Sequence, residues 1–203
     1  MSQEHPITQR PTLTDQLRVR THFIIDPVVT TMARFKLSPD LLTVLGFLTH
    51  ILFAYLIAVG EFRWAAFAIA ALAPLDALDG ALARKLGRKQ GGFGAFLDSS
   101  LDRLAEIALY GGFIYYYYVA GNALMLTITY LAATGSLMVS YARSRAEALG
   151  FQAKMGVLSR VERYVVLVAF LALGIPQIAL PILAAFTYFT FFQRMFAVWK
   201  QSR

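Results

Sequence analysis

The chain has 203 residues, of which 58% are hydrophobic and 15% charged, with mean hydropathy +0.56 and a formal net charge of +7. Soluble domains average about 45–50% apolar and about 25% charged residues, so an ordinary soluble enzyme is excluded, and the apolar inventory fills about six bilayer spans of roughly 20 residues with no large extramembrane domain left over. Cysteine is absent, which excludes disulfides, thiolate nucleophiles, iron–sulfur clusters and Cys-based zinc sites and leaves the chemistry to carboxylates, hydroxyls, histidines and cations.

Residues 1–40 are too polar for a signal sequence: charged residues recur from Glu4 through Lys36, and no apolar run precedes Leu41. Pro27, following Asp26, can open a helix on which Val28, Val29, Met32 and Phe35 fall near one face. This predicts a short amphipathic helix in the headgroup region, with an ordered but functionless arm as an equal alternative. Apolar segments then run from about Leu41 to Gly60, Phe62 to Leu82, Phe96 to Val119, Ala123 to Ala142, Val161 to Gly174 and Ile178 to Trp199. They predict an all-α integral membrane protein, with a cytoplasmic arm over 1–40 and a six-helix transmembrane domain over 41–200. With both termini cytoplasmic, every Lys and Arg except Arg63 falls on or near the cytoplasmic side, as the positive-inside rule requires. Such one-sided charge suits membrane lipids and phosphate-bearing substrates, and nucleic acid is excluded because no segment remains for a recognition module. Within the spans, Tyr115 to Tyr118 read as interfacial anchors and His50 as a hydrogen-bonded packing residue ahead of a proton relay. The alanines of the second span permit close helix approach, a dimer contact included.

The second span ends LDALDGALARKLGRKQ and the third begins GGFGAFLDSSLDRLAE. Asp76 and Asp79 stand three apart, Asp98 and Asp102 four apart, so each pair lies along one helix face, and a short basic loop lets the two faces meet. Four converging aspartates at a membrane are costly unless protonated, paired or bound to cations. Aspartate oxygens without Cys or His select hard divalent ions such as magnesium, manganese or calcium, and two ions would neutralise four carboxylates. The plain alternative is a network of salt bridges to Arg84, Lys85, Arg88 and Arg103. Phosphate chemistry suits the surroundings: Gly80 and Ala83 keep one lane of the helix narrow, Arg84 offers a forked guanidinium, and Gly91, Gly92 and Gly94 allow close backbone approach at a helix N-terminus.

The pattern Asp76-x2-Asp79-Gly80-x2-Ala83-Arg84-x9-Gly94-x3-Asp98-x3-Asp102 resembles the signature of the CDP-alcohol phosphotransferase family. The resemblance extends along the six-span architecture, with weaker matches at Ser38-Pro39-Asp40 to Thr43. It implies an enzyme that joins a CDP-linked lipid to an alcohol with release of CMP, typically a homodimer using two metal ions. Carried over residue by residue, it implies that Asp76, Asp79 and Asp98 bind metal, and that Asp102 takes the proton of the acceptor hydroxyl and also touches a metal. Gly80, Ala83, Arg84 and Gly94, with Pro39 and Thr43 nearby, would line the cytidine diphosphate site together with Asp79. Asp40 stands where many relatives have Asn.

A second basic cluster, Arg143, Arg145, Lys154, Arg160 and Arg163, follows the fourth span, and Arg194 lies alone in the last. These residues either enforce topology or, for Arg143, Arg160 and Arg194, form a pocket for a phosphate on the acceptor. The stretches SYARSRAEALG, GVLSRVER and QRMFAVW are similar to those of the phosphatidylinositol-phosphate synthase branch of the family. The resemblance thus implies CDP-diacylglycerol and inositol 1-phosphate as substrates. Glycerol 3-phosphate is the alternative acceptor, although its users usually read Asp-Pro after the third aspartate and Lys after the fourth, where this chain has Ser99 and Arg103. A divalent-cation transporter is the alternative of another class. It would place ionisable groups near mid-membrane, whereas these four aspartates gather toward one face.

Overall fold

A computed structural model describes residues 13–72, 75–88 and 92–203, leaving aside the side chains of 13–22, 24 and 75–77. Among the described residues all regular structure is helical: α1 (Leu13–Arg34), α2 (Pro39–Ala58), α3 (Phe62–Leu72), α4 (Leu75–Lys85), α5 (Phe93–Val119), α6 (Ala123–Ala148), α7 (Arg160–Ala172) and α8 (Pro176–Gln201). Local chemistry sets the boundaries. Pro39 and Pro176 open α2 and α8, where a missing N–H is no loss. The Asn122 side chain accepts from Met125 N–H at 3.0 Å to cap α6. Past α5 and α7 the chain turns at Gly121 (φ +64°) and Gly174 (φ +74°), a left-handed conformation that glycine adopts without strain.

Along 62–82 the described residues on both sides of 73–74 are helical, as α3 and the first part of α4. One element differs from the sequence expectation. α1 is already helical well before Pro27, which lies inside it. Its packing face is Ile25, Val29, Met32 and Ala33, set against Leu42, Leu78 and Leu82, while Val28 and Phe35 stay exposed. The i, i+4 series beginning at Ile25 reaches α4, and Lys85 fastens the contact by bonding Asp26 at 3.2 Å and the Thr30 hydroxyl. Three of the described helices, α2, α6 and α8, are long and apolar enough to cross a membrane. α3 and α7 have 11 and 13 residues, and α5 carries Asp98, Asp102, Arg103 and Glu106 in its first half.

Helix contacts close a ring: α2 packs on α5, α5 on α6, α6 on α8, α8 on α7, α7 on α3 and α3 back on α2, while α4 sits against α1 and α2. The interior is filled by Phe53, Ile57, Ile69, Phe113, Leu171 and Leu180, all essentially fully buried. Outward-facing Leu48, Tyr55, Phe67, Leu124, Tyr130 and Phe192 are more than 45% exposed. So much apolar surface on the outside is a liability in water and a fit for lipid. Of the tyrosine run, Tyr115 and Tyr118 are exposed, Tyr116 packs edge-on against Phe62, and Tyr117 is buried.

α2 and α5 share the most extensive interface, and Gly112 permits it. A Cβ there would lie 2.9 Å from Ala54 Cα and 3.0 Å from its carbonyl carbon, and backbone cannot yield as a side chain can. Because α2 and α5 carry the polar residues described next, Gly112→Ala is expected to lower stability in detergent by about 1–3 kcal/mol and to reduce activity with it. Gly111→Ala, where a Cβ meets nothing within 4 Å, is the control and should leave the melting temperature unchanged.

Candidate active site

The polar ends of α2, α4, α5 and α7 meet at one end of the ring. Asp79, one turn into α4, is 7% exposed. Its Oδ2 accepts from the Thr43 hydroxyl of α2 at 2.7 Å and its Oδ1 from the Gly80 N–H at 2.5 Å. The Thr43 hydroxyl also lies 3.1 Å from the Pro39 carbonyl, so the first turn of α2 and the first half of α4 are tied through one carboxylate. Asp76 belongs to the first turn of α4, but its side chain falls outside the described residues.

Asp98 and Asp102 extend from α5 toward the same place. Asp98 is exposed, and Asp102 is partly covered because Arg160, the first residue of α7, reaches its Oδ2 at 2.5 Å, with Arg103 on the same oxygen at 3.6 Å. Thr43, His50, Asp79, Asp98, Asp102 and Arg160 line one narrow cleft. His50 contributes no free nitrogen to it: Nδ1 lies 2.8 Å from the Gly46 carbonyl and Nε2 2.8 Å from the Tyr164 hydroxyl. It is thus the hydrogen-bonded packing residue expected from the sequence.

Of the cations considered for a salt-bridge network, Lys85 pairs with Asp26 and Arg88 with Asp40 at 2.6 Å, while Arg103 reaches Asp102. Around the candidate nucleotide residues, the Arg84 guanidinium stands 3.4 Å from where a Cβ on Gly80 would sit, and Ala83 lies one turn along, partly buried. Gly94 lies against Asp40 and Arg88: a Cβ there would come within 3.1 Å of Asp40 Oδ1. Pro39, Thr43, Gly80, Arg84 and Gly94 are thereby distributed over α2, α4 and α5. Gly91 lies outside the described residues.

The three candidate acceptor cations are placed differently from one another. Arg160 is in the cleft. Arg143, on α6, pairs with Glu147 at 2.9 Å. Arg194 is 3% exposed on α8, where Nε donates to the Met155 carbonyl at 2.9 Å and Nη1 to the Val139 carbonyl at 2.5 Å. It therefore ties the 149–159 connection to α6 and α8. The sequence reading passed over Glu106, which is 3% exposed and bonded at 2.5 Å to the equally buried Arg163. An ionisable residue four beyond Asp102 inside an apolar helix was the signal available for it.

Among the described residues no three carboxylate or imidazole groups already close on one point. Asp79, Asp98 and Asp102 nonetheless supply only oxygen to a shared cleft whose one imidazole is committed elsewhere, a donor set that fits magnesium or manganese and not zinc or copper.

A family model for CDP-alcohol phosphatidyltransferase matches residues 36–199. The chain is 37% identical over 193 residues to the archaetidylinositol phosphate synthase of Methanothermobacter thermautotrophicus, covering 92% of this chain and 94% of that one. The fold is similar to the crystal structure of Mycobacterium tuberculosis phosphatidylinositol phosphate synthase with CDP-DAG bound, with TM-score 0.78 and 27% identity over 87% of this chain and 94% of the other. The complex of that enzyme with manganese and citrate gives TM-score 0.77 at 26% identity over 86% and 88%. With Asp79, Asp98 and Asp102 of its matched segment lining one cleft, the chain belongs to the CDP-alcohol phosphatidyltransferase family of membrane enzymes.

Proposed function

We propose that the protein transfers the phosphatidyl group of CDP-diacylglycerol to the hydroxyl of inositol 1-phosphate, forming phosphatidylinositol phosphate and CMP. The observation that carries this reading is the Asp102–Arg160 pair at 2.5 Å on the wall of the cleft that also holds Asp79 and Asp98. It sets a carboxylate able to take a proton beside a fork-shaped cation able to hold a phosphate, which a phosphorylated alcohol requires together.

In the reaction the acceptor oxygen bonds to the phosphorus that carries diacylglycerol, its proton passes to Asp102, and the phosphoanhydride bond to CMP breaks. Arg84 meets the charge that builds on the phosphate oxygens. Pro39, Thr43, Gly80, Ala83 and Gly94 shape the nucleotide side, and Arg160 with Arg143 and Arg194 the acceptor side. Asp76, Asp79, Asp98 and Asp102 would hold two divalent ions, magnesium or manganese, whose chemistry there is to neutralise charge on the transferring phosphate. The same reading has six membrane crossings with α3 and α4 as the second, both termini and the cleft on the cytoplasmic side, and a homodimeric assembly. The wholly oxygen donor set and the one-sided basic charge support it.

Purified protein supplied with CDP-diacylglycerol, magnesium and either inositol 1-phosphate, glycerol 3-phosphate or inositol tests the reading through CMP release. Inositol 1-phosphate should be the best acceptor, and no CMP with any of the three would overturn it. Arg160→Ala removes a charge-assisted hydrogen bond worth about 1.5–3 kcal/mol, so the acceptor KM is expected to rise about 10–150-fold. The KM for CDP-diacylglycerol should stay within about twofold, since only the acceptor side has lost its partner.

A further inference from the structure

α5 and α7 stand across the ring from each other and scarcely touch along their backbones. Ion pairs span the gap instead. Asp102–Arg160 is at the cleft, and Glu106–Arg163 lies about one helical turn deeper, at 2.5 Å with both residues 3% exposed. Arg163 has a second hold: its Nη1 donates to the Leu158 carbonyl at 3.3 Å, at the end of the connection that delivers Arg160. Glu162 Oε2 fixes the same junction by accepting from Ser159 N–H at 2.5 Å. Beside the deeper pair is a small cavity lined by Tyr110, Ser136, Tyr164 and Leu167, and the Glu106 Oε2 atom is buried there without a hydrogen-bond partner among the described residues.

A buried ion pair is a poor source of stability, because well-packed apolar residues of similar volume often do as well or better, and its best-attested use is to fix registry. We propose that Glu106–Arg163 is a positioning strut for the reaction. It sets the spacing of α5 and α7, and the rotation of α7 about its first turn, so that Arg160 faces Asp102 and the acceptor is held with its hydroxyl at the base. Glu106 and Arg163 touch no substrate. They act through Arg160 and Asp102, so the proposal rests on the roles assigned to those two residues above.

The experiment compares three variants of the full-length protein in detergent, reading melting temperature, the KM of inositol 1-phosphate, the KM of CDP-diacylglycerol and kcat by CMP release. Glu106→Gln leaves Arg163 buried with a neutral partner and should lower both stability and kcat. The double variant Glu106→Leu with Arg163→Met restores an apolar contact. It is expected to melt at or above the parent temperature while the acceptor KM stays about 10–100-fold raised, the scale on which a misplacement of about 1 Å acts. Arg163→Lys keeps the charge without the fork and should raise the acceptor KM several-fold with CDP-diacylglycerol KM unchanged. A double variant with parental melting temperature, acceptor KM and kcat would show the pair to be ordinary packing. If the double variant does not fold, an unchanged acceptor KM in Arg163→Lys overturns the proposal equally. Failure of the underlying reading has its own mark: Arg160→Ala would then leave the acceptor KM unchanged, and the strut would fall with it.

Discussion

Asp102→Asn is expected to reduce CMP release by about 10²–10⁴-fold, the range that a positioned general base contributes, with the protein still folded. The substitution keeps the shape of the side chain and removes its capacity to accept the acceptor's proton. Arg160 and Arg103 both approach Asp102 Oδ2, at 2.5 and 3.6 Å, so the amide weakens the pairing of both guanidinium groups at this position. That loss is modest for stability, because the Asp102 side chain is 19% and the two arginine side chains 29% and 33% exposed, where solvent screens the pairs. The decisive measurement is kcat alongside melting temperature. A kcat within a few-fold of the parent would remove Asp102 from the role of base, whatever the stability shows.

Asp79→Asn is expected to raise the magnesium concentration needed for half-maximal CMP release by at least about 10–100-fold, the loss that even an outer partner of a metal ligand brings. Asp79 is the most enclosed of the cleft aspartates Asp79, Asp98 and Asp102, and both of its oxygens already accept hydrogen bonds, from Thr43 and from the Gly80 amide. Those donors orient the carboxylate on the wall of the cleft, while asparagine would lose the charge and turn an NH2 group toward one of the donors. Chelation of the parent protein should abolish CMP release, and added magnesium or manganese should restore it. An identical magnesium titration for Asp79→Asn and parent would exclude Asp79 from metal binding.

The parts of the site that were legible in the sequence are those set by helical spacing. Asp98 and Asp102 are four apart and therefore share a face, and they do line one cleft with Asp79. Pro39 and Thr43 are likewise four apart, and Thr43 meets the Pro39 carbonyl. The N-terminal helix was legible as a helix but not in its face. Val28 and Phe35 are as apolar as Val29, and only the position of α4 makes Val29 the buried one. Arg194 shows the reverse problem. Its isolation in an apolar stretch announced an anionic partner, yet two of its donors meet neutral backbone carbonyls at Met155 and Val139, acceptors that no residue pattern displays.

By itself, the sequence determined the solvent, the helical class and the aspartate motif. Each of these follows from composition or from the 3.6-residue period, which are properties of neighbours along the chain. Tertiary structure alone decided which distant groups meet: Thr43 with Asp79, Arg160 with Asp102, Arg163 with Glu106 across 57 residues, and Gly112 against Ala54. Those meetings depend on how far each helix is rotated and how closely its axis approaches the next. Rotation and distance are fixed by the packing of the whole ring, so no local pattern encodes them.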